Sequence, residues 1–355
     1  MNGIAPLSIV AVLDNCLNTV SHPHVPLKST QMTLELTQQR IVVTGGTGFL
    51  GRALCAGLRQ RGCESLAVPT HQDYDLLDAQ AVARLFSDFQ PQVIFHLAAQ
   101  VGGIGANQRE PGRFFYENLQ MGLNLIEASR RHGIVKFLQV GTVCAYPKFT
   151  PVPFREDDLW NGYPEETNAP YGIAKKALLV MLQSYRQQYG LNGIFVLPVN
   201  LFGPGDNYNP LSSHVIPALI RKCVEAQQSG APEIVVWGTG SASREFLYVH
   251  DCAEGLMRAA ESYSSPEPIN LGSGQEISIR ELVALIVKLT GYQGQVVWDT
   301  SRPDGQPRRS LDTTRAWNAF GFKAQTNLID GLRATIQDYL SRAATNDKGP
   351  LTKDN

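Results

Sequence analysis

From residue 40 onward, two hydrophobic patterns alternate along the chain. Short apolar runs without polar alternation begin at residue 40 and recur at 65–69, 93–99, 136–143 and 194–205. Between them, apolar residues recur at helical spacing up to residue 61 and at 79–89, 114–133 and 171–190. Strands that are apolar on both faces and separated by helices indicate a parallel sheet covered on both sides. The pattern therefore predicts a doubly wound, Rossmann-like α/β fold.

The pattern becomes less regular after residue 203. Short strands are predicted at 235–238, 244–251 and 269–274, with helices at 252–263 and 278–290. We interpret residues 38–203 as a dinucleotide-binding domain that also carries the catalytic residues. Residues 204–342 are predicted to form a smaller, discontinuous α/β part that binds substrate, with some segments returning to the sheet.

The two ends of the chain lack this patterning. Residues 1–37 contain an apolar stretch with no basic residue before it, so they do not resemble a secretory signal. Met32 lies just before the first strong strand, and we expect 1–37 to be a disordered extension or a misassigned start. The polar segment 343–355 is expected to be a disordered tail.

Composition excludes several functional classes. The 355 residues are 43% hydrophobic with a net charge of −1, so nothing indicates a nucleic-acid or membrane-surface partner. No apolar run reaches the roughly 18 residues of a membrane-spanning helix. The six cysteines are widely spaced without metal-binding patterns, which favours reduced thiols in a cytoplasmic protein.

A glycine-rich turn follows the first strand and opens a helix. Its glycines would let the backbone approach a pyrophosphate held at the helix N-terminus. The turn therefore predicts dinucleotide binding, with a purely structural glycine turn as the alternative, and Asp75 is placed to contact the adenine. Pro69, Thr70 and His71 follow the second strand and offer neither an acid for a ribose 2′-OH nor an arginine for a 2′-phosphate. The residues alone thus leave NAD and NADP open. The predicted cofactor-binding residues of the turn are Gly45, Gly46, Thr47, Gly48, Phe49, Leu50 and Gly51.

Tyr171 and Lys175 form a YxxxK pair at the start of the helix that follows the strand leading to Thr142. A phenol has a pKa of about 10, and a nearby ammonium can lower it. Lys175 lies one helical turn after Tyr171 and is predicted to do so, while Thr142 is placed to hydrogen-bond the reacting oxygen. The alternative is a tyrosine at a helix start beside a surface lysine.

Six blocks of sequence narrow the prediction. They occupy residues 101–107, 144–149, 164–175, 198–210, 213–222 and 235–251. In these blocks the chain resembles the GDP-L-fucose synthases, a group within the extended short-chain dehydrogenase/reductase family. The resemblance runs from about residue 40 to residue 340.

The resemblance implies an acid–base pair and a reductase centre. Cys144 and His214 would invert C3 and C5 of GDP-4-keto-6-deoxy-D-mannose, whose C–H bonds are acidified by the neighbouring ketone. Tyr171 would then protonate the C4 oxygen as hydride arrives from a nicotinamide. Otherwise Cys144 is a small core residue, and His214 is a helix cap or a solvent-facing side chain.

The resemblance also implies a binding site for the GDP-sugar. Asn200 would lie near the sugar, and cations would bind the diphosphate while a tryptophan stacks on guanine. The structural alternatives are a surface arginine and a core tryptophan. The residues expected around the GDP are Lys222, Trp237, Arg244, Asp304 and Arg309.

The chain departs from the family pattern at one catalytic position and at two cofactor-binding positions. Thr142 occupies the family's serine position, and Thr47 and His71 occupy positions of NADP-contacting arginines. NADPH is expected through the resemblance alone, with NADH open. The resemblance also implies a homodimer formed through the helix that bears Tyr171, residues 171–190, and its neighbouring helix. The apolar residues Ala177, Leu178, Val180 and Met181 permit this.

Three alternative functions can be compared by the residues that each would need. A 4,6-dehydratase needs carboxylates where this chain has Val143 and Cys144. A GDP-mannose 3,5-epimerase, or another GDP-4-keto-sugar epimerase or reductase, stays open. A scaffold protein would have no need of Thr142, Tyr171 and Lys175 together.

Overall fold

The structure is a computed structural model that describes residues 33–102, 104–210, 212–302 and 304–346, without the side chains of residues 104, 345 and 346. The strands are β1 Ile41–Thr44, β2 Leu66–Ala67, β3 Val93–His96, β4 Lys136–Val140, β5 Gly193–Pro198, β6 Asn200–Phe202, β7 Glu233–Trp237, β8 Ser243–Tyr248, β9 Ile269–Leu271, β10 Glu276–Ser278, β11 Gln295–Asp299 and β12 Arg308–Arg309. The helices are α1 Phe49–Gln60, α2 Ala79–Phe89, α3 Ile104–Arg109, α4 Pro111–His132, α5 Ala169–Tyr189, α6 Val215–Ser229, α7 Val249–Ser262, α8 Ile279–Thr290, α9 Thr314–Phe320 and α10 Leu328–Asn346. Short 3-10 helices span Leu36–Gln38, Val143–Ala145 and Glu156–Trp160.

The central element is a six-stranded sheet in the order β2-β1-β3-β4-β5-β9, in which every pair is parallel. The strand order reverses at β1, since β2 lies on one side of it and β3 on the other. Open α/β sheets bind ligands outside the carboxyl ends of their strands at such a switch point. The predicted doubly wound, Rossmann-like fold is confirmed.

Helices pack in two groups around this sheet. α1 contacts α7, whereas α4 contacts both α2 and α5. α5 approaches α4 closely at Gly122, where an added Cβ would lie 2.3 Å from a methyl carbon of Leu178. Leu178 is therefore part of the core rather than of an outer surface.

A second layer is built around β8. Its first half pairs with antiparallel β10 and parallel β12, and its second half pairs with parallel β6. β7 and β11 form a separate parallel pair. Helices α6, α8 and α10 enclose a second hydrophobic cluster with Phe202 and Phe246. This layer brings β12, near the C-terminal end of the chain, beside residues that follow β4.

Several predicted boundaries are corrected. The predicted strand over 194–205 is two strands, because β5 pairs with β9 whereas β6 pairs with β8. Residues 1–32 lie outside the described residues, but 33–37 do not form a disordered extension: Leu36 is buried, and the Leu34 N–H donates to the Glu261 carbonyl. Helix α10 continues through residues 343–346, and 347–355 lie outside the described residues. No helix within the described residues is long and apolar enough to cross a membrane.

Candidate active site

The glycine-rich turn lies at the switch point, between the ends of β1 and β3. Gly45 has φ +71°, and a Cβ there would lie 2.6 Å from the Ala98 nitrogen. A Cβ on Gly51 would lie 2.1 Å from the Gly45 carbonyl oxygen, so the turn and the first turn of α1 are in close contact. The N-cap of α1 is Gly48, which has no side chain to occupy the helix N-terminus. This cradle fits a pyrophosphate.

Arg52 fixes the turn and was not singled out in the sequence. Its guanidinium donates to the carbonyl oxygens of Thr47 and Gly205, at 2.6 Å each. The Gly205 N–H in turn donates to Asp338 at 2.9 Å. The only signal for this role was a basic residue one position after the last motif glycine.

The end of β2 carries the residues expected near the adenosine. The His71 side chain is 79% exposed, and its Nδ1 lies 3.6 Å from Asp75 Oδ1. The same oxygen accepts the Leu77 N–H at 2.9 Å. His71 and Asp75 thus form one polar group at this edge of the sheet, as their spacing allowed.

Thr142, Cys144 and Tyr171 lie together where β4 ends. Thr142 is the N-cap of the Val143–Ala145 helix, and its Oγ1 accepts the Cys144 N–H at 3.2 Å. An added Cβ on Gly172 would lie 2.5 Å from the Cys144 carbonyl oxygen. The absence of a side chain at Gly172 therefore lets α5 bring Tyr171 beside the thiol. The 3-10 helix replaces the strand end that the sequence predicted here.

The electrostatics of Tyr171 and Lys175 differ from expectation. Burial raises the pKa of Tyr171, Cys144 adds to this, and a hydrogen bond with Thr142 opposes it. Lys175 is 1% exposed, and burial lowers its pKa to about 7. Its Nζ lies 5.9 Å from the centre of the Tyr171 ring. For the chain by itself, desolvation of the phenolate is the largest effect on the Tyr171 pKa, and the lowering expected from Lys175 is not found.

His96 is a buried neighbour of this group that sequence reasoning missed. Its Nδ1 lies 2.7 Å from Thr44 Oγ1, which joins the ends of β3 and β1. Burial lowers the pKa of His96 strongly, and the charge of Lys175 lowers it further. His96 is therefore a neutral imidazole at the switch point. Its place at a strand end was the available signal.

His214 is the N-cap residue of α6 and is exposed, although nearby protein atoms desolvate the ring enough to lower its pKa. Its side chain makes no cap hydrogen bond. In the described part of the chain, no hydrogen bond joins His214 to Cys144. The imidazole of His214 is therefore not used for helix capping. Its pairing with the Cys144 thiol stays a prediction.

Two arginines lie side by side next to the thiol. Arg309 of β12 is the register partner of Arg244 of β8. An Arg309 Nη1–H donates to Cys144 Sγ at 3.8 Å. Burial and then Arg309 lower the pKa of Arg244 to about 10, and it stays cationic at neutral pH. Among the described residues, neither guanidinium forms an ion pair with a carboxylate, so both suit an anionic ligand.

Other predicted substrate residues have partners within the chain. Asn200 Nδ2 donates to the Glu245 carbonyl at 3.1 Å, and Lys222 Nζ donates to the Val235 carbonyl at 2.8 Å. Lys222 thereby ties α6 to β7, two residues before Trp237. The Asp304 carboxylate accepts the N–H and the hydroxyl of Thr239, at 2.7 Å each. Asp304 therefore fixes a loop between β7 and β8.

Trp237 is not a core residue. The side chain is 63% exposed at the end of β7. The Arg302 guanidinium carbon lies 5.0 Å from the centre of its ring. An exposed indole that already stacks with a planar cation can also stack on a planar base.

Glu245 is a second residue that sequence reasoning missed. The side chain is fully buried, and its Oε2 accepts the Leu311 N–H at 2.7 Å and the Ser310 hydroxyl at 2.9 Å. Its Oε1 accepts the Gly274 N–H at 2.8 Å. Glu245 therefore holds the segment after β12 against β8. An acid inside the apolar strand of residues 244–251 was the sequence signal.

The sequence matches one protein family and several curated relatives. Residues 41–272 match the model of the NAD dependent epimerase/dehydratase family. The chain is 42% identical over 301 residues to GDP-L-fucose synthase 1 of Arabidopsis thaliana, covering 85% of this chain and 93% of that protein. It is 40% identical over 314 residues to GDP-L-fucose synthase of Escherichia coli (strain K12), covering 86% and 98%.

A solved structure with a similar fold carries the same kind of name as these relatives. It is a GDP-L-fucose synthetase from Naegleria fowleri bound to NADP, with a TM-score of 0.81 and 30% sequence identity. The match covers 89% of this chain and 98% of that one. The resemblance predicted from the six sequence blocks is confirmed.

Proposed function

This chain belongs to the NAD dependent epimerase/dehydratase family, and we propose that it acts as a GDP-L-fucose synthase. The substrate is GDP-4-keto-6-deoxy-D-mannose, which is inverted at C3 and C5 and then reduced at C4 to GDP-L-fucose. The curated relatives that carry this name match over nearly their whole length.

The contact between Arg309 and Cys144 is the observation that carries the proposal. Arg309 and Arg244 supply adjacent cations for a diphosphate, and Arg309 also reaches the thiol at 3.8 Å. A diphosphate bound between the two arginines would bring its sugar to Cys144, Thr142 and Tyr171. Trp237 would stack on the guanine at the exposed end of the same layer.

Inversion needs an acid and a base on opposite faces of the sugar. A C–H bond beside the C4 ketone loses its proton to give an enolate, which is reprotonated from the other face. Cys144 and His214 are the proposed pair, since both a thiol and an imidazole exchange protons near neutral pH. The hydroxyl of Thr142 and the phenol of Tyr171 would donate hydrogen bonds to the enolate oxygen.

Reduction follows at the same carbonyl. A bound nicotinamide cofactor, when reduced, supplies the hydride for C4. Tyr171 donates its proton to the C4 oxygen, and the ammonium form of Lys175 stabilises the resulting phenolate until a proton from solvent restores the phenol. Gly45 to Gly51 would hold the pyrophosphate of the cofactor, Asp75 would lie near the adenine, and Tyr171 with Lys175 would lie near the nicotinamide ribose.

NADPH is the proposed reductant. Support comes from the NADP bound in the Naegleria fowleri relative. The glycine cradle suits either dinucleotide, and Thr47 and His71 stand where the family pattern has arginines. The preference for NADPH over NADH is therefore expected to be smaller than an arginine pair would give.

A cytoplasmic homodimer is proposed for the assembly. The outer face of α4 and α5 exposes Tyr116, Val180 and Tyr189, with exposures of 58%, 45% and 47%. Apolar side chains on two adjacent helices suit packing against a second copy. The layer around β8 is the proposed GDP-sugar-binding part.

The test is turnover by the purified protein. GDP-4-keto-6-deoxy-D-mannose is mixed with NADPH or, separately, NADH, and oxidation is followed at the nicotinamide band while NMR identifies the sugar. We expect one NADPH oxidised per GDP-L-fucose formed. Binding of the GDP-sugar without oxidation would refute the synthase and favour a GDP-mannose 3,5-epimerase.

A further inference from the structure

We propose that Arg309 is a positioning residue for the inversion step, whose guanidinium holds the sulfur of Cys144 and stabilises its thiolate form. The inference rests on the proposed function for the meaning of the thiol, and adds a role to a residue otherwise expected only to bind the diphosphate.

The guanidinium of Arg309 is oriented by a second side chain. Its Nε and Nη2 both donate to Gln306 Oε1, at 3.2 Å each. Gln306 Nε2 donates to the Lys148 carbonyl at 2.9 Å, in the segment that follows Cys144. One edge of the guanidinium, formed by Nε and Nη2, is therefore bound to Gln306, and Nη1 donates to Cys144 Sγ.

The backbone around Arg309 is also held in place. β12 lies in register with β8, and Glu245 accepts the Leu311 N–H two residues after Arg309. The backbone of Cys144 is fixed by the hydrogen bond from its N–H to Thr142 Oγ1. Both partners of the contact are thus anchored through the backbone and not by each other alone.

The charges around the sulfur determine what the contact does. Arg309 donates to it directly, and Arg244 adds a second cation beside Arg309. From α5, the half-buried Tyr171 faces the sulfur, and Lys175 lies near that ring. A cation within hydrogen-bond distance favours the anionic form of an acid. Arg309 therefore favours the thiolate, which is the form that can remove a proton from C3 or C5.

Each proton in the inversion step has a donor and an acceptor. The Cys144 thiolate takes the proton from carbon and becomes the thiol, the C–H electron pair moves into the enolate, and an acid on the opposite face returns a proton to carbon. Arg309 neither gains nor loses a proton.

The experiment measures the reactivity of Cys144 without substrate. Iodoacetamide alkylation of the full chain is followed from pH 6 to pH 10 by mass spectrometry of the peptide containing Cys144. Only the thiolate reacts, so the pH of half-maximal rate reports its formation. We expect Arg309→Gln to move this midpoint upward by about one pH unit, which is a tenfold smaller thiolate fraction near neutral pH. Arg309→Lys keeps the charge and is expected to move it less.

Arg308→Gln is the matched control. Arg308 is the neighbouring residue of β12, but its guanidinium is paired with Glu276 and largely exposed. Its removal is expected to leave the midpoint unchanged. Should Arg309→Gln fail to fold, Gln306→Ala releases the orientation of the guanidinium and is expected to move the midpoint upward.

The proposal is overturned if the parent, Arg309→Gln and Arg309→Lys give superimposable profiles, or if Arg308→Gln moves the midpoint as much as Arg309→Gln does. This outcome is independent of turnover. A protein that fails to make GDP-L-fucose while showing the shift would refute the proposed function and keep the role of Arg309.

Discussion

Gly172 controls the approach of Tyr171 to the thiol, and Gly172→Ala tests this directly. The added Cβ would lie 2.5 Å from the Cys144 carbonyl oxygen, whereas ordinary contact begins at 3.4 Å. The neighbour is backbone and cannot rotate away, so α5 must retreat by about 1 Å. A misplacement of about 1 Å can cost about 100-fold in rate.

The same substitution affects stability in two opposing ways. Overpacking costs about 1–3 kcal/mol, and alanine recovers up to about 1 kcal/mol in a helix. We therefore expect the free energy of unfolding to fall by about 1–2 kcal/mol and the rate of C4 reduction to fall about 100-fold. Urea unfolding and nicotinamide absorbance measure the two quantities.

Gly112→Ala is the control for the helix effect. Gly112 lies in the first turn of α4, and an added Cβ meets nothing within 4 Å. This variant should keep full activity and equal or greater stability. Wild-type reduction by Gly172→Ala would refute the claim that close backbone contact positions Tyr171.

Three further predictions follow from individual side chains. Cys144→Ser should lose C3 and C5 exchange with solvent deuterium while retaining cofactor binding, and Tyr171→Phe should lose reduction; normal exchange in Cys144→Ser would exclude the thiol. Burial holds the folded-state pKa of Lys175 at about 7, below its unfolded value, so the unfolded chain binds the extra proton and stability rises with pH up to the unfolded pKa. Lys175→Met should abolish reduction but raise the free energy of unfolding at pH 7 and reduce its rise toward pH 10, by up to about 1.4 kcal/mol per pH unit; an unchanged slope in urea titrations would contradict this. Glu245→Gln should cost about 1–3 kcal/mol in unfolding free energy and weaken GDP binding by calorimetry, because buried donors around β12 lose a carboxylate; wild-type GDP affinity would show that Glu245 does not hold the arginine pair.

The grouping of residues in part of the candidate site could be predicted because it follows from chain order. Gly45 and Thr142 each follow a strand of one parallel sheet, and the carboxyl ends of such strands meet at one edge. Tyr171 lies in the first turn of α5, the α-helix that follows β4 in the chain. The hydrophobic pattern that identifies the strands therefore also places these residues together. Gly172 could not be assigned its role from sequence, since its constraint is a contact with backbone 28 positions earlier in the chain.

The contact between Arg309 and the Cys144 thiol could not be predicted from the hydrophobic pattern. β12 has two residues, too few for any periodicity, and its pairing with β8 joins positions 65 residues apart. The pKa of Lys175 was also beyond the sequence, because it depends on complete burial rather than on spacing from Tyr171. Lys222 shows the same limit, since its ammonium is bound to the Val235 carbonyl across two elements.

The most direct test of the central claim is turnover of GDP-4-keto-6-deoxy-D-mannose with NADPH in D₂O, with the product examined by NMR. The account predicts GDP-L-fucose carrying solvent deuterium at C3 and C5, and one NADPH oxidised for each molecule formed. A reduced sugar that keeps hydrogen and the original configuration at both carbons would contradict it, because Cys144 and its arginine would then have no inversion to perform.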